Sequence, residues 1–123
     1  MHLETERIED ALSSIRCGAS DTEETLHMLV AHALRSAGIE AQHEVHLAPR
    51  CRIDFLVGSV GIEVKKKRPD RARLIAQQTR YAACEQIDAL IVVAPRGVSL
   101  PKSIGRKPVR LVALERLWGI SLS

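Results

Sequence analysis

Residues 53–65 alternate apolar and polar side chains, turn once at Gly58-Ser59 and alternate again, which predicts two short antiparallel strands. Gly58 suits the first central position of a two-residue type II′ turn. That register sets Val57 opposite Val60, Phe55 opposite Ile62 and Asp54 opposite Glu63. Elsewhere the pattern predicts the remaining elements. An acidic, weakly helical stretch over 4–15 stops at Gly18. Asp21 or Thr22 caps a second helix with the apolar stripe Leu26, Leu29, Val30, Ala33, Leu34 and Ala37, and Gly38 ends it. Alternation over 42–47 predicts a strand, and Pro49-Arg50 a turn. Arg68-Pro69 opens a third helix that runs to about Glu85, with proline in its first turn. Residues 89–94 are uninterruptedly apolar, as in a strand covered on both faces. Residues 96–107 read as a loop, 109–113 as a last strand and 114–118 as a short closing helix.

The expected fold is therefore α/β: a mixed central β-sheet flanked by helices, in the order α-β-β-β-α-β-β. Residues 1–20 are set apart as an N-terminal acidic helical appendage, and 21–123 as a single domain. The strand before the third helix and the apolar strand after it are expected as neighbours joined by a right-handed crossover. A chain of 123 residues supports one modest core. With 46% hydrophobic and only 2% aromatic residues, that core is aliphatic.

Charge is unevenly placed. The net charge is +3, but residues 1–24 carry seven acids against Arg7 and Arg16. Residues 65–80 carry Lys65, Lys66, Lys67, Arg68, Arg71, Arg73 and Arg80 against Asp70 alone, and 89–114 hold five more basic residues and no acid. A basic face able to hold phosphates follows from this division, as does a merely solvated basic surface. Cys17, Cys51 and Cys84 are odd in number and widely spaced, which predicts reduced thiols rather than a disulfide framework or zinc knuckle. Without a spanning apolar run or a charged-then-apolar leader, the expectation is a soluble cytoplasmic protein with no membrane partner.

The hairpin carries the chemistry. Strict alternation puts Ile53, Phe55, Val57, Ile62 and Val64 on one face and Arg52, Asp54, Gly61, Glu63 and Lys65 on the other. Asp54 opposite Glu63 is a repulsive pair unless a cation lies between them, and a metal ion is the expected one. Carboxylate oxygens are hard ligands suited to Mg²⁺ or Mn²⁺. Lys65 is placed to orient or deprotonate an attacking water, or to neutralise charge that develops on a phosphoryl group. His43 and His46 are three apart on a strand, and His27 and His32 five apart on a helix, so neither pair is spaced to chelate one ion.

Asp54, eight residues, then Glu63-Val64-Lys65 resembles the PD-(D/E)XK nuclease superfamily. Gln77-Gln78-Thr79-Arg80-Tyr81 is similar to the Gln-x-x-x-Tyr motif of its recombination-exonuclease branch, with Gln77 and Tyr81 on one helical face. The matching elements span roughly 22–113, and the residue before Asp54 is Ile53 where the family has proline. The resemblance implies a restriction-endonuclease-like core and a Mg²⁺- or Mn²⁺-dependent phosphodiesterase that cuts DNA as an endonuclease in repair, recombination or mobile elements. Asp54, Glu63, Lys65 and Gln77 would be catalytic. Asp54, Glu63, the main-chain carbonyl of Val64 and Glu23 would hold the metal, with Glu24 and His27 as alternatives to Glu23. Lys66, Lys67, Arg68, Arg71, Arg73 and Arg80 would contact DNA phosphates, Tyr81 would support Gln77, and Glu44 would be a further acid at the rim. A homodimer is a further hypothesis, because one small domain has little surface to hold a duplex. Two rivals stand beside this expectation: a catalytically silent nucleic-acid-binding or interaction module on the same fold, and the same site acting on RNA or branched DNA.

Overall fold

The computed structural model describes residues 2–18, 22–94 and 98–114. All but Leu114 of the predicted helix over 114–118 lies outside the described residues, as do the alternative cap Asp21 and residues 96–97 of the predicted loop. Three helices and six strands follow one another as α1 (His2–Leu12), α2 (Glu23–Ser36), β1 (Gln42–Ala48), β2 (Cys51–Val57), β3 (Val60–Val64), α3 (Arg71–Ala82), β4 (Ala89–Ala94), β5 (Ser103–Ile104) and β6 (Lys107–Ala113). The strands form one mixed sheet in the order β1-β2-β3-β4-β6-β5. β1, β2 and β3 are antiparallel, β3, β4 and β6 run parallel, and β5 turns back against β6. The element order differs from the expected one at α1 and at β5, a two-residue strand inside the predicted loop. No helix of the described residues is long and apolar enough to cross a membrane.

Local chemistry explains most boundaries. Thr22 caps α2 by accepting from Thr25 N at 3.0 Å. The helix ends where Gly38 takes φ 74 and Ile39 N donates back to Leu34 O at 2.9 Å. α3 starts two residues later than Pro69 suggests, because Asp70 caps it by accepting from Arg73 N at 3.2 Å. Gly58 has φ 57 and Ser59 no positive φ, which is the sign pattern of the predicted type II′ turn. The ladder runs Val57↔Val60, Leu56↔Gly61 and Phe55↔Ile62.

α1 and α2 cover one face of the sheet and α3 the other. Ile8, Leu12 and Ile15 join Leu26, Val30 and Leu34, together with Phe55, Ile62, Val64, Ile91 and Val93, in one cluster. The stretch expected as an appendage is therefore part of the core. Glu6 and Asp10 are exposed, while Ile8, Leu12 and Ile15 recur at helical spacing and are buried. On the α3 side Tyr81 and Ala82 pack with Ile53, Ile87, Leu90 and Val109.

The β1–β2 pair has a register shift between His46 and Ala48, and alternation also fails nearer the hairpin turn. Ile53 belongs to the α3-side cluster although Phe55, two residues on, belongs to the other. On β1 the partners are His43↔Phe55 and Val45↔Ile53, so Glu44 and Asp54 face each other in register, yet they are not paired in the ladder. Glu44 takes φ 54, a left-handed conformation unusual for a residue with a side chain. The chain reverses its faces there, and the expected inward set loses Ile53.

Gly61 is required by packing. A Cβ built on it would lie 2.4 Å from Ile53 Cδ1 and 3.0 Å from Ile87 Cδ1. Both isoleucines are fully buried and have little room to retreat. Gly61→Ala is therefore expected to cost about 1–3 kcal/mol through overpacking. Urea denaturation should show a lower midpoint with an unchanged slope; an unchanged midpoint would contradict this account of the packing.

Candidate active site

β3 ends with Glu63-Val64, and the chain leaves the sheet at Lys65, whose N–H still donates to Val93 O at 2.7 Å. That anchor places the first of the cationic run beside the last carboxylate of the strand. Glu63 is 6% exposed and points toward α3. Its Oε2 accepts from Lys65 Nζ at 3.2 Å and from Gln77 Nε2 at 3.1 Å. Its Oε1 lies 2.9 Å from the Tyr81 hydroxyl, which is also 2.9 Å from Arg52 O. Gln77 and Tyr81, one turn apart on α3, thus grip one carboxylate, and the predicted link between them runs through Glu63.

Asp54 is approached from the other layer. Its Oδ2 accepts from Val64 N at 2.7 Å and lies 3.7 Å from His27 Nε2 of α2. The two carboxylates therefore do not face each other as a simple cross-strand pair. The reversal at Glu44 and Asp54 turns Asp54 toward α2 while Glu63 stays with α3. They remain near enough for their charges to interact. Burial first, and then the charge of Asp54, push the Glu63 carboxyl above its usual range, against the opposing pull of Lys65 and Tyr81. Burial and the Glu63 charge likewise push the Tyr81 phenol up, so it stays protonated and can donate.

The remaining predicted residues divide. Lys65, Lys66, Lys67, Arg68, Arg73 and Arg80 line a groove of about 670 Å³ with Glu23, Asp70 and Gln77. Arg71 points elsewhere, its Nε donating to Ser99 O at 2.7 Å, which ties the start of α3 to the loop after β4. Glu23 shares the groove with Lys65, Glu24 is exposed, and His27 is the residue of the three that reaches Asp54. Glu44 pairs with Arg52 at 3.9 Å on the surface. Two features escaped the sequence. His43 hydrogen-bonds His27, with Nε2 3.1 Å from His27 Nδ1; the residues are sixteen apart and no local pattern links them. Gln77 Oε1 is buried without a partner, an acceptor left open beside the groove.

Among the described residues no three or more of His, Cys, Asp and Glu are gathered as a metal cluster. The acids are Asp54 and Glu63, with His27 at the edge. Two carboxylates suffice for a hard divalent cation that keeps its waters and takes further oxygens from a phosphate. The carboxylates are held by different layers yet close enough to raise Glu63, so a cation between them would relieve a repulsion already present. The donor set fits such an ion.

Because its folded-state pKa is raised, Glu63 stabilises the fold most below its unfolded value near 4.5, and that contribution is lost as pH rises through the folded value. Glu63→Gln keeps the shape and removes the buried charge. Thermal melts across pH 4 to 8 should find the variant gaining on the wild type as pH increases. A constant difference over that range would contradict the burial argument. Comparison with protein families, curated proteins and solved structures finds no match for the chain, so function is read from this geometry alone.

Proposed function

We propose that the chain is a metal-dependent nuclease that hydrolyses DNA phosphodiester bonds, with a restriction-endonuclease-like core. The observation that carries this reading is Glu63, a buried carboxylate within electrostatic reach of Asp54 and held by Lys65, Gln77 and Tyr81, of which Lys65 and Gln77 also line a groove rich in cations. A buried acid costs stability, and its donors compensate for that cost only in part. Such an arrangement is typical of a site kept for chemistry.

Asp54 and Glu63 would hold Mg²⁺ or Mn²⁺, with the Val64 carbonyl and Glu23 or His27 as further donors. The ion would supply Lewis-acid polarisation of the phosphoryl oxygens and a more acidic water. The protein groups supply the rest. Lys66, Lys67, Arg68, Arg73 and Arg80 attract and seat the phosphate backbone. Lys65, 27% exposed at its side chain, reaches from Glu63 into the groove and neutralises charge growing on the phosphoryl oxygens. Gln77 donates its amide hydrogen to Glu63 Oε2 and so steadies the carboxylate that Lys65 also meets. Reduced cysteines fit a cytoplasmic enzyme, and a homodimer would widen the surface offered to a duplex.

One observation favours a second reading. Both oxygens of Glu63 already have protein donors, and no three-ligand cluster stands ready among the described residues. A catalytically silent nucleic-acid-binding module on the same fold would also be built this way.

Incubation with supercoiled plasmid, linear duplex, single strands and a four-way junction, in Mg²⁺, Mn²⁺ or EDTA, separates the two. Cutting is expected with metal and not with EDTA. Lys65→Ala should slow it about 100- to 1000-fold, as for loss of one preorganised electrostatic group. Glu63→Gln should abolish it while the protein stays folded. Metal-dependent cutting that survives both substitutions would sink this site. Salt-sensitive binding with no cutting of any substrate would establish the silent module. In either case Arg73→Ala and Arg80→Ala should each lower the slope of log K against log salt by about one.

A further inference from the structure

His27 stands between two partners of different kinds. Its Nδ1 is at hydrogen-bonding distance from His43 Nε2, 3.1 Å, whereas its Nε2 is 3.7 Å from Asp54 Oδ2, too long for a hydrogen bond. With the proton on His27 Nδ1 donated to His43, the lone pair of His27 Nε2 faces the Asp54 carboxylate. Two electron-rich atoms then look toward the same space, with side chains only 15% and 17% exposed. That is how a ligating histidine is usually arranged, its second nitrogen donating to a neighbour that sets tautomer and ring orientation.

His43 is itself held in place. Its ring stacks on Phe55 with centroids 4.7 Å apart and planes 21° apart, and meets the His27 ring edge-on at 5.4 Å. It faces α2 because of the reversal at Glu44. Under strict alternation His43 and Val45 would share a face, yet Val45 packs in the α3-side cluster. The left-handed backbone at Glu44 costs stability and sits directly beside the residue it presents. Strain, stacking and hydrogen bond all converge on one imidazole.

We propose that His43 is a positioning residue that fixes His27 with its Nε2 lone pair toward Asp54, making the metal centre a mixed nitrogen–oxygen site. Such a site prefers a first-row transition ion, Mn²⁺ among them, over Mg²⁺, since imidazole is a poor ligand for the harder ion. The proposal rests on the metal-dependent reading and goes beyond it in the role of His43 and in the choice of ion.

The test is Mn²⁺ binding to the full chain without nucleic acid, followed by electron paramagnetic resonance, with Mg²⁺ as competitor. Wild-type protein should bind Mn²⁺ more tightly than Mg²⁺. His43→Leu should weaken Mn²⁺ about 10- to 100-fold, the usual loss for an outer-shell partner, while Mg²⁺ changes much less. His43→Gln, whose Oε1 can accept from His27 Nδ1, should retain most of the affinity. His27→Gln, which removes the nitrogen ligand itself, should lose at least as much as His43→Leu, and the double variant should lose no more than His27→Gln alone. His43 is exposed, so its variants keep the core intact, and circular dichroism melts verify this. Equal Mn²⁺ affinity in wild type and His43→Leu would overturn the proposal alone, as would equal losses for both ions. A wild-type chain that binds no Mn²⁺ would overturn the metal-dependent reading together with it.

Discussion

A carboxylate taken out of water is the constraint around which this structure is arranged. Glu63 lies on a strand whose five residues are all buried, and its charge must be satisfied by the protein. Lys65 answers from the same strand's exit, and Gln77 and Tyr81 answer from α3. The α3 layer is thus fastened to the sheet by polar contacts as well as by Leu74, Tyr81 and Ala82. The satisfaction is incomplete. The Tyr81 phenol carries one hydrogen and has two acceptors at 2.9 Å, Glu63 Oε1 and Arg52 O. That single hydrogen cannot serve both acceptors in full.

The second organising feature is the reversal at Glu44 and Asp54. It splits β1 and β2 so that one half of each feeds one core and the other half the other. Asp54 is released from the ladder and can bond Val64 N with its side chain. In a regular hairpin that carboxylate would be bound to one face. Here it stands between layers, with α2 on one side and Glu63 within electrostatic reach on the other.

Much of the frame was legible. The Gly58-Ser59 turn, the register through Phe55 and Ile62, the continuous β4 and the Thr22 cap all rest on local rules that tertiary packing did not override. The link between Glu63, Gln77 and Lys65 was legible only as a pattern of residue types, and the hydrogen bonds then gave it a geometry. Other parts were hidden for physical reasons. In α1 and the turn after it the abundance of acids masked Ile8, Leu12 and Ile15 at core spacing. Pro69 drew the predicted start of α3 ahead of its cap, Asp70. Nothing in a glutamate marks it for φ 54, so the reversal and the His27–His43 contact that follows from it could not be read in advance.

The left-handed turn at Glu44 bears also on how copies of this chain can meet. β1 is seven residues long and, among the described residues, forms one border of the sheet with no strand on its outer side. A straight border of that length is a template on which another chain can continue the sheet. Glu44 breaks the border near its middle, and the Glu44–Arg52 pair adds charge beside the break. The opposite border, β5, is two residues long. Neither border is suited to edge-to-edge growth, so the kink that shapes the interior also guards the sheet against aggregation.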